Sequence, residues 1–231
     1  MLDFRVPGGA FFVRQIALLL LPALAAAVPA TAGTVKGQIQ LFDKGGRPAA
    51  DITDVVVFVD GARARTSPAK ATMTMKGKSF IPHVIVVPVG GTVEFPNEDP
   101  IFHNVFSVSG ENRFDLELYK RPKSGAWTFQ HPGVARVYCN IHPQMSAVVI
   151  VRDNPYFTKT AQDGSFAIPD VPAGKYVVRA WHERGGEAAE DVTVAARGDT
   201  NVRLTLDASG FKRAPHKNKF GKDYSNTDEK Y

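Results

Sequence analysis

The chain has one cysteine, no long apolar run past its first 32 residues and no charge excess large enough to dominate it. With Cys139 alone, an internal disulfide is excluded. That leaves the thiol as a shielded core residue, a site for an intermolecular bridge or a ligand for a thiolate-loving metal. No stretch after residue 32 approaches the ~20 apolar residues that a membrane-spanning helix needs, so no transmembrane span is expected. The net charge is only +5, and no nucleic-acid partner is expected. Most of the basic excess gathers near the end, where Lys212, Arg213, Lys217, Lys219, Lys222 and Lys230 face only Asp223, Asp228 and Glu229. Such a run reads as a solvated, disordered tail over 208–231; steering toward acidic partners or anionic lipid is the other reading. Met-rich and His-rich tracts are missing too, as is any His-x-His pair.

Hydrophobic residues make up 44% of the chain, which excludes wholesale disorder, and 231 residues suffice for one or two modest domains. The 20 Gly and 16 Pro, with scattered Val, Thr and Phe, predict an all-β chain of short strands and turns. At the front, Arg5 and Arg14 precede the apolar run Ile16 to Val28, which ends in Ala30-Thr31-Ala32. This pattern predicts a signal peptide over 1–32, cleaved after Ala32, and export to a bacterial periplasm. Removing Arg5, Arg14 and Asp3 with it lowers the charge from +5 to +4.

The chemistry concentrates in Tyr138-Cys139-Asn140-Ile141-His142-Pro143-Gln144-Met145, where thiolate, imidazole and thioether stand at spacing Cys-x2-His-x2-Met. The segment lies between two strand-like runs, Val134 to Tyr138 and Ser146 to Val151, so it reads as the loop joining adjacent antiparallel strands. A second imidazole, His103, sits where the turn-rich stretch Phe95 to Phe102 meets another strand. Taken singly, Cys139 and Met145 are ordinary core residues and each histidine an ordinary hydrogen-bonded one. Together they form the two-imidazole, one-thiolate set with a weak axial thioether that characterises blue-copper electron-transfer sites.

On these residues the chain resembles the cupredoxin (blue-copper) family, and its short ligand loop is similar to that of amicyanins. The resemblance runs from about Thr72 to Arg152. It includes Lys78-Ser79-Phe80-Ile81-Pro82, Gly90-Gly91-Thr92-Val93-Glu94-Phe95, Asn97-Glu98-Asp99, His103-Asn104-Val105, Phe129-Gln130-His131-Pro132-Gly133 and Tyr138-Cys139. It implies a Greek-key β-sandwich of about eight strands carrying one type 1 copper at His103, Cys139, His142 and Met145. It also implies that Asn104 ties the two ligand loops together. The resemblance further implies a redox donor and a redox acceptor, such as a dehydrogenase and a c-type cytochrome, in the manner of methylamine-utilisation proteins. His142 would be the electron exit, with Pro100, Ile101, Phe102, Pro143 and Gln144 as the docking rim. His83, His131, His182 and His216 do not fit the site and read as structural or exposed. An oxidase would carry further copper centres, so a non-enzymatic carrier is expected; copper storage or delivery and an adhesion-type module with a vestigial site are the rival readings.

After Asp153 the pattern changes. Gln162-Asp163-Gly164-Ser165-Phe166-Ala167-Ile168, Val171-Pro172-Ala173-Gly174 and Lys175-Tyr176-Val177 resemble the later strands of the carboxypeptidase-regulatory-like, prealbumin-like (transthyretin-like) β-sandwich. Val35-Lys36-Gly37 and Val55 to Val59 resemble its opening strands. The expected organisation is therefore a split sandwich, 33–65 and 154–207, interrupted by the cupredoxin at 66–153. The alternative is that Val55 to Val59 is simply an extra cupredoxin strand.

Overall fold

The computed structural model describes Met1, residues 32–212 and residues 214–224. The expected signal peptide thus lies outside the described residues, apart from Met1 and Ala32. The chain opens with β1 (Ala32–Asp43), β2 (Arg47–Pro48) and β3 (Val56–Asp60). The next strands are β4 (Lys70–Thr72), β5 (Thr74–Met75), β6 (Phe80–Ile81), β7 (Val84–Pro88) and β8 (Thr92–Pro96). They are followed by β9 (His103–Ser109), β10 (Asn112–Tyr119), β11 (Ser124–Thr128), β12 (Gly133–Tyr138) and β13 (Ser146–Arg152). Last come β14 (Phe157–Lys159), β15 (Ser165–Pro172), β16 (Gly174–His182), β17 (Gly186–Val194) and β18 (Asp199–Asp207). The protein is all-β, and no helix among the described residues is long and apolar enough to cross a membrane.

Strand pairing sorts these elements into two sandwiches. In one, β15-β1-β18, with β2 paired to β1, faces β14-β3-β16-β17 across a core of Val35, Ile39, Val57, Val59, Ile168, Val178, Leu204 and their neighbours. In the other, β10-β9-β12-β13-β7 faces β11-β8-β4 across Met73, Val93, Phe95, Phe114, Phe129, Val137 and Val149. Both β1 and β3 precede the second sandwich in sequence, yet they pair with β15, β18, β14 and β16, which follow it. The flanks therefore build one sandwich, and the middle of the chain is inserted into it. The parallel pair β1–β18 depends on Gly37, because a Cβ there would stand 1.8 Å from the Val202 carbonyl oxygen.

The sandwiches meet through a third apolar cluster. Val56 and Phe58 of β3 and Trp181 of β16 pack with Val84 of β7 and Val148 and Ile150 of β13. Alternation explains how: in β3, Val57 and Val59 face their own core while Val56 and Phe58 face the partner sandwich. Likewise Val149 and Val151 of β13 point inward, and Val148 and Ile150 point across. Strands buried on both faces lose the apolar/polar alternation and read as continuous apolar runs.

A polar clamp borders this junction. His83, between β6 and β7, lies 2.6 Å from the Glu183 carboxylate that follows β16, and Arg136 of β12 donates to the same carboxylate at 3.0 Å. The hydrogen bond to Glu183 raises the His83 pKa against the opposing effect of burial, and Asp54 adds to the rise. The same bond lowers the Glu183 pKa, with Arg136 assisting. Asp51, His182 and Arg184 line the same recess. Because the histidine pKa is raised, its contribution is complete below the unfolded value of about 6.5 and disappears as pH climbs through the folded value. Because the glutamate pKa is lowered, its contribution disappears as pH falls through the folded value. The difference in unfolding free energy between wild type and His83→Gln is therefore expected to peak between these limits and to shrink on either side. Denaturant titrations across pH measure it; a pH-independent difference would show that the pair does not hold the junction. The effect is modest, since the two side chains are 33% and 20% exposed.

The end of the chain corrects one expectation. Residues 208–212 and 214–224 do not form a free tail. Ala208 is buried in the first core, and Lys219 and Tyr224 make side-chain bonds to the middle sandwich. The basic composition misled because the partners of these residues lie far away in sequence.

Candidate metal centre

Two loops at one end of the middle sandwich supply the donor atoms. The first is the 139–145 loop between β12 and β13, closed by backbone bonds from Met145 N to the His142 carbonyl (2.9 Å) and from Cys139 N to the Met145 carbonyl (3.2 Å). These bonds fold Cys-x2-His-x2-Met back on itself, as antiparallel pairing of Tyr138 with Ser146 requires. The second is the 97–102 loop leading into β9. Here Asn97, 3% exposed, clamps the turn: its amide donates to the Ile101 and Tyr119 carbonyls (3.0 and 3.1 Å), and its oxygen accepts from Asp99 N (2.9 Å).

The two loops bring His103 Nδ1 within 3.0 Å of His142 Nδ1, with Cys139 Sγ 4.0 and 3.6 Å from them. Cys139, His103 and Met145 are fully buried and His142 is 1% exposed. Met145 belongs to the same buried core as Cys139. Among the described residues, His103, Cys139 and His142 are the only cluster of this kind whose donor atoms converge. Three donors about 2.0–2.3 Å from a common centre, arranged trigonally, would stand about 3.5 Å from one another. The observed spacings bracket that value, so the donor set fits a metal ion.

Asp99 prepares His103 for that role. Its carboxylate accepts backbone N–H bonds from Gly77 (2.8 Å) and Lys78 (2.9 Å) in the turn between β5 and β6, and His103 Nε2 stands 2.8 Å away. Burial pushes the Asp99 pKa up, but the Lys78, His103 and Gly77 bonds outweigh it and the pKa is lowered. An ionised Asp99 accepts the Nε2 proton and leaves Nδ1 with its lone pair facing the centre. Burial also holds the His103 pKa below its usual value despite Asp99, which keeps the ring neutral and able to ligate. Burial raises the Cys139 pKa, while backbone N–H groups of Asn104, Ile141 and His142 counter it. A cation at the centre supplies the further charge that would hold Cys139 as thiolate.

Asn104 does link the two loops, but through its main chain. Its side chain donates to Asp115 (2.7 Å) and to the Glu117 carbonyl (3.0 Å), both on β10. The Asn104 backbone N–H makes the link, 3.5 Å from Cys139 Sγ, because β9 runs beside the sulfur while its side chain turns toward β10. On the 139–145 loop His142 itself is 1% exposed, while Pro143 and Gln144 beside it are exposed. On the other loop Pro100 and Phe102 are exposed and Ile101 is half-buried. Of the four remaining histidines, His131 lies at the surface, His83 and His182 line the junction recess, and His216 contacts the 139–145 loop. In the sequence the only signal for Asp99 is a carboxylate four residues before His103.

A family model of the carboxypeptidase regulatory-like domain matches residues 142–207, under a third of the chain. The match takes in β13, which belongs to the middle sandwich, and leaves out β1 and β3, which complete the host. No curated protein matches the sequence. Among solved structures, the chain is similar to a Cu-containing nitrite reductase from Thermus scotoductus SA-01, 32% identical over 41% of this chain and 24% of that one, with TM-score 0.36. It is also similar to a purple cupredoxin from Nitrosopumilus maritimus, 24% identical over 35% of this chain and 98% of that one, with TM-score 0.32. An amicyanin from Paracoccus versutus is 22% identical over 42% of this chain and 97% of that one, with TM-score 0.34. The chain thus spans less than a quarter of the nitrite reductase chain.

Proposed function

We propose that the protein is an exported, non-enzymatic blue-copper electron carrier, with one copper held by His103, Cys139, His142 and Met145. The observation that carries this reading is the convergence of two imidazole Nδ1 atoms and one thiol, all buried, from loops far apart in sequence. Copper bound there would supply a one-electron Cu(I)/Cu(II) couple. The chain's own residues fix the donors before any ion arrives: Asp99 sets the His103 tautomer, and the Asn104 backbone N–H reaches the Cys139 sulfur. A donor set held in place reorganises little between oxidation states, which favours fast transfer. Burial excludes water and exogenous ligands, which favours a carrier over a storage or delivery protein, whose ligands must exchange. The exposed rim of Pro100, Phe102, Pro143 and Gln144 is where a redox donor and acceptor would dock through small, transient interfaces.

Adding Cu(II) to the metal-free protein and recording visible and electron-paramagnetic spectra tests this. An intense thiolate-to-copper band with narrow copper hyperfine splitting, bleached by reductant and restored by oxidant, is expected. A pale spectrum, or copper lost on reduction, would favour storage or delivery.

A further inference from the structure

The C-terminal segment leaves the host core at Ala208 and touches the metal loop at several points. The His216 ring stacks on Tyr138, the residue before Cys139, with centroids 4.1 Å apart and planes at 22°. Its Nε2 donates to the Pro143 carbonyl at 2.7 Å. Tyr224 donates its hydroxyl to the Cys139 carbonyl at 2.8 Å, and that hydroxyl lies 3.1 Å from His216 Nδ1. Lys219 donates its backbone N–H to Asn140 Oδ1 at 2.9 Å, while its ammonium reaches Asp115 (2.6 Å) and Glu117 (3.1 Å).

These contacts form two lines of support that end on the same cysteine. One is direct, from Tyr224 to the Cys139 carbonyl. The other runs from Lys219 to Asp115, from Asp115 to the Asn104 side chain, and from the Asn104 backbone N–H to Cys139 Sγ. Lys219 compensates Asp115: burial would raise that carboxyl, but the Lys219 and Asn104 bonds keep its pKa low, so it stays ionised and holds Asn104.

We propose that residues 214–224 are a strap belonging to the metal centre, in which Tyr224 and Lys219 are positioning residues that fix Cys139 at its carbonyl and at its sulfur. The strap reinforces the link between the ligand loops that the Asn104 backbone N–H makes. Its bonds to the middle sandwich are polar and lie outside the two cores, so loosening it leaves the sandwiches folded. The spectroscopic part of the test rests on the copper reading above; the thiol part does not.

The experiment uses the full chain with Tyr224→Phe, Lys219→Gln, the two combined, and Lys219→Arg as the conservative control. In metal-free protein, the rate of Cys139 alkylation by a small neutral thiol reagent reports how firmly the loop is held. Each single variant is expected to raise it about fivefold, the factor one ordinary hydrogen bond contributes. The double variant should exceed tenfold, and Lys219→Arg should stay near wild type, with the thermal midpoint little changed in all four. After Cu(II) addition, the thiolate-to-copper band and the midpoint potential should shift in Lys219→Gln and return in Lys219→Arg. Unchanged alkylation, band and potential in the double variant would overturn the proposal. A wild-type protein with no blue band would sink the electron-carrier reading, while protection of Cys139 by the strap would still be decided by the alkylation rates.

Discussion

Cys139→Ser is expected to abolish the thiolate-to-copper band completely and to weaken copper binding by more than the roughly 10–100-fold that loss of an outer partner costs. Thiolate is the soft donor that suits Cu(I), and a serine hydroxyl stays protonated and hard at neutral pH. The fold should survive, because the change keeps the shape of a side chain that occupies little of the core, and the Asn104 N–H retains an acceptor. Copper titration followed by visible spectroscopy, with a thermal melt alongside, separates the two effects. Intact blue colour in this variant would remove Cys139 from the site and the proposed function with it.

Phe58→Ala is expected to destabilise the protein by about 3–5 kcal/mol, the usual cost of deleting a buried phenyl ring. Phe58 is 5% exposed and belongs to the cluster that joins the sandwiches. Its ring also carries the Arg152 guanidinium at 3.8 Å, and Arg152 binds Asp60 at the end of the same strand. Removing the ring opens a cavity and strips a half-buried cation of its aromatic face. Two tryptophans report the outcome: Trp181 lies in the junction, and Trp127 stacks on Phe114 in the middle sandwich. Urea denaturation followed by their fluorescence should show a lower midpoint. An unchanged midpoint would mean that the junction does not contribute to stability.

How much of this was legible beforehand depended on where the partners lie. Cys139, His142 and Met145 were readable because their spacing is local and their chemistry is shared by few other patterns. The interrupted host was readable from Gly37 and Val55 to Val59 ahead of the insert and Asp163-Gly164 after it. The junction was not: the apolar stretch of β3 arises from burial on two faces, and a run of valines does not say what covers the second. Nor was the strap, since Lys219 answers to Asp115 and Tyr224 to Cys139, pairs that no window along the chain contains. The tie at Asn104 was legible as a link between the loops, but not as one made by its backbone N–H: composition cannot distinguish a side chain from its own main chain.

The insertion has a consequence for the order in which the chain acquires its structure. In an extended chain, β3 stands nearly 100 residues from β14, and closing so large a loop carries an entropic cost that grows with its length. Once the middle sandwich has formed, its two ends present residues 60–70 and 153–157 to each other and most of that cost is gone. Folding of the middle sandwich first is therefore the cheaper order, with the host closing on its ends. In that order Val55 to Val59 is for a time a strand without its partners, open to pairing with another chain.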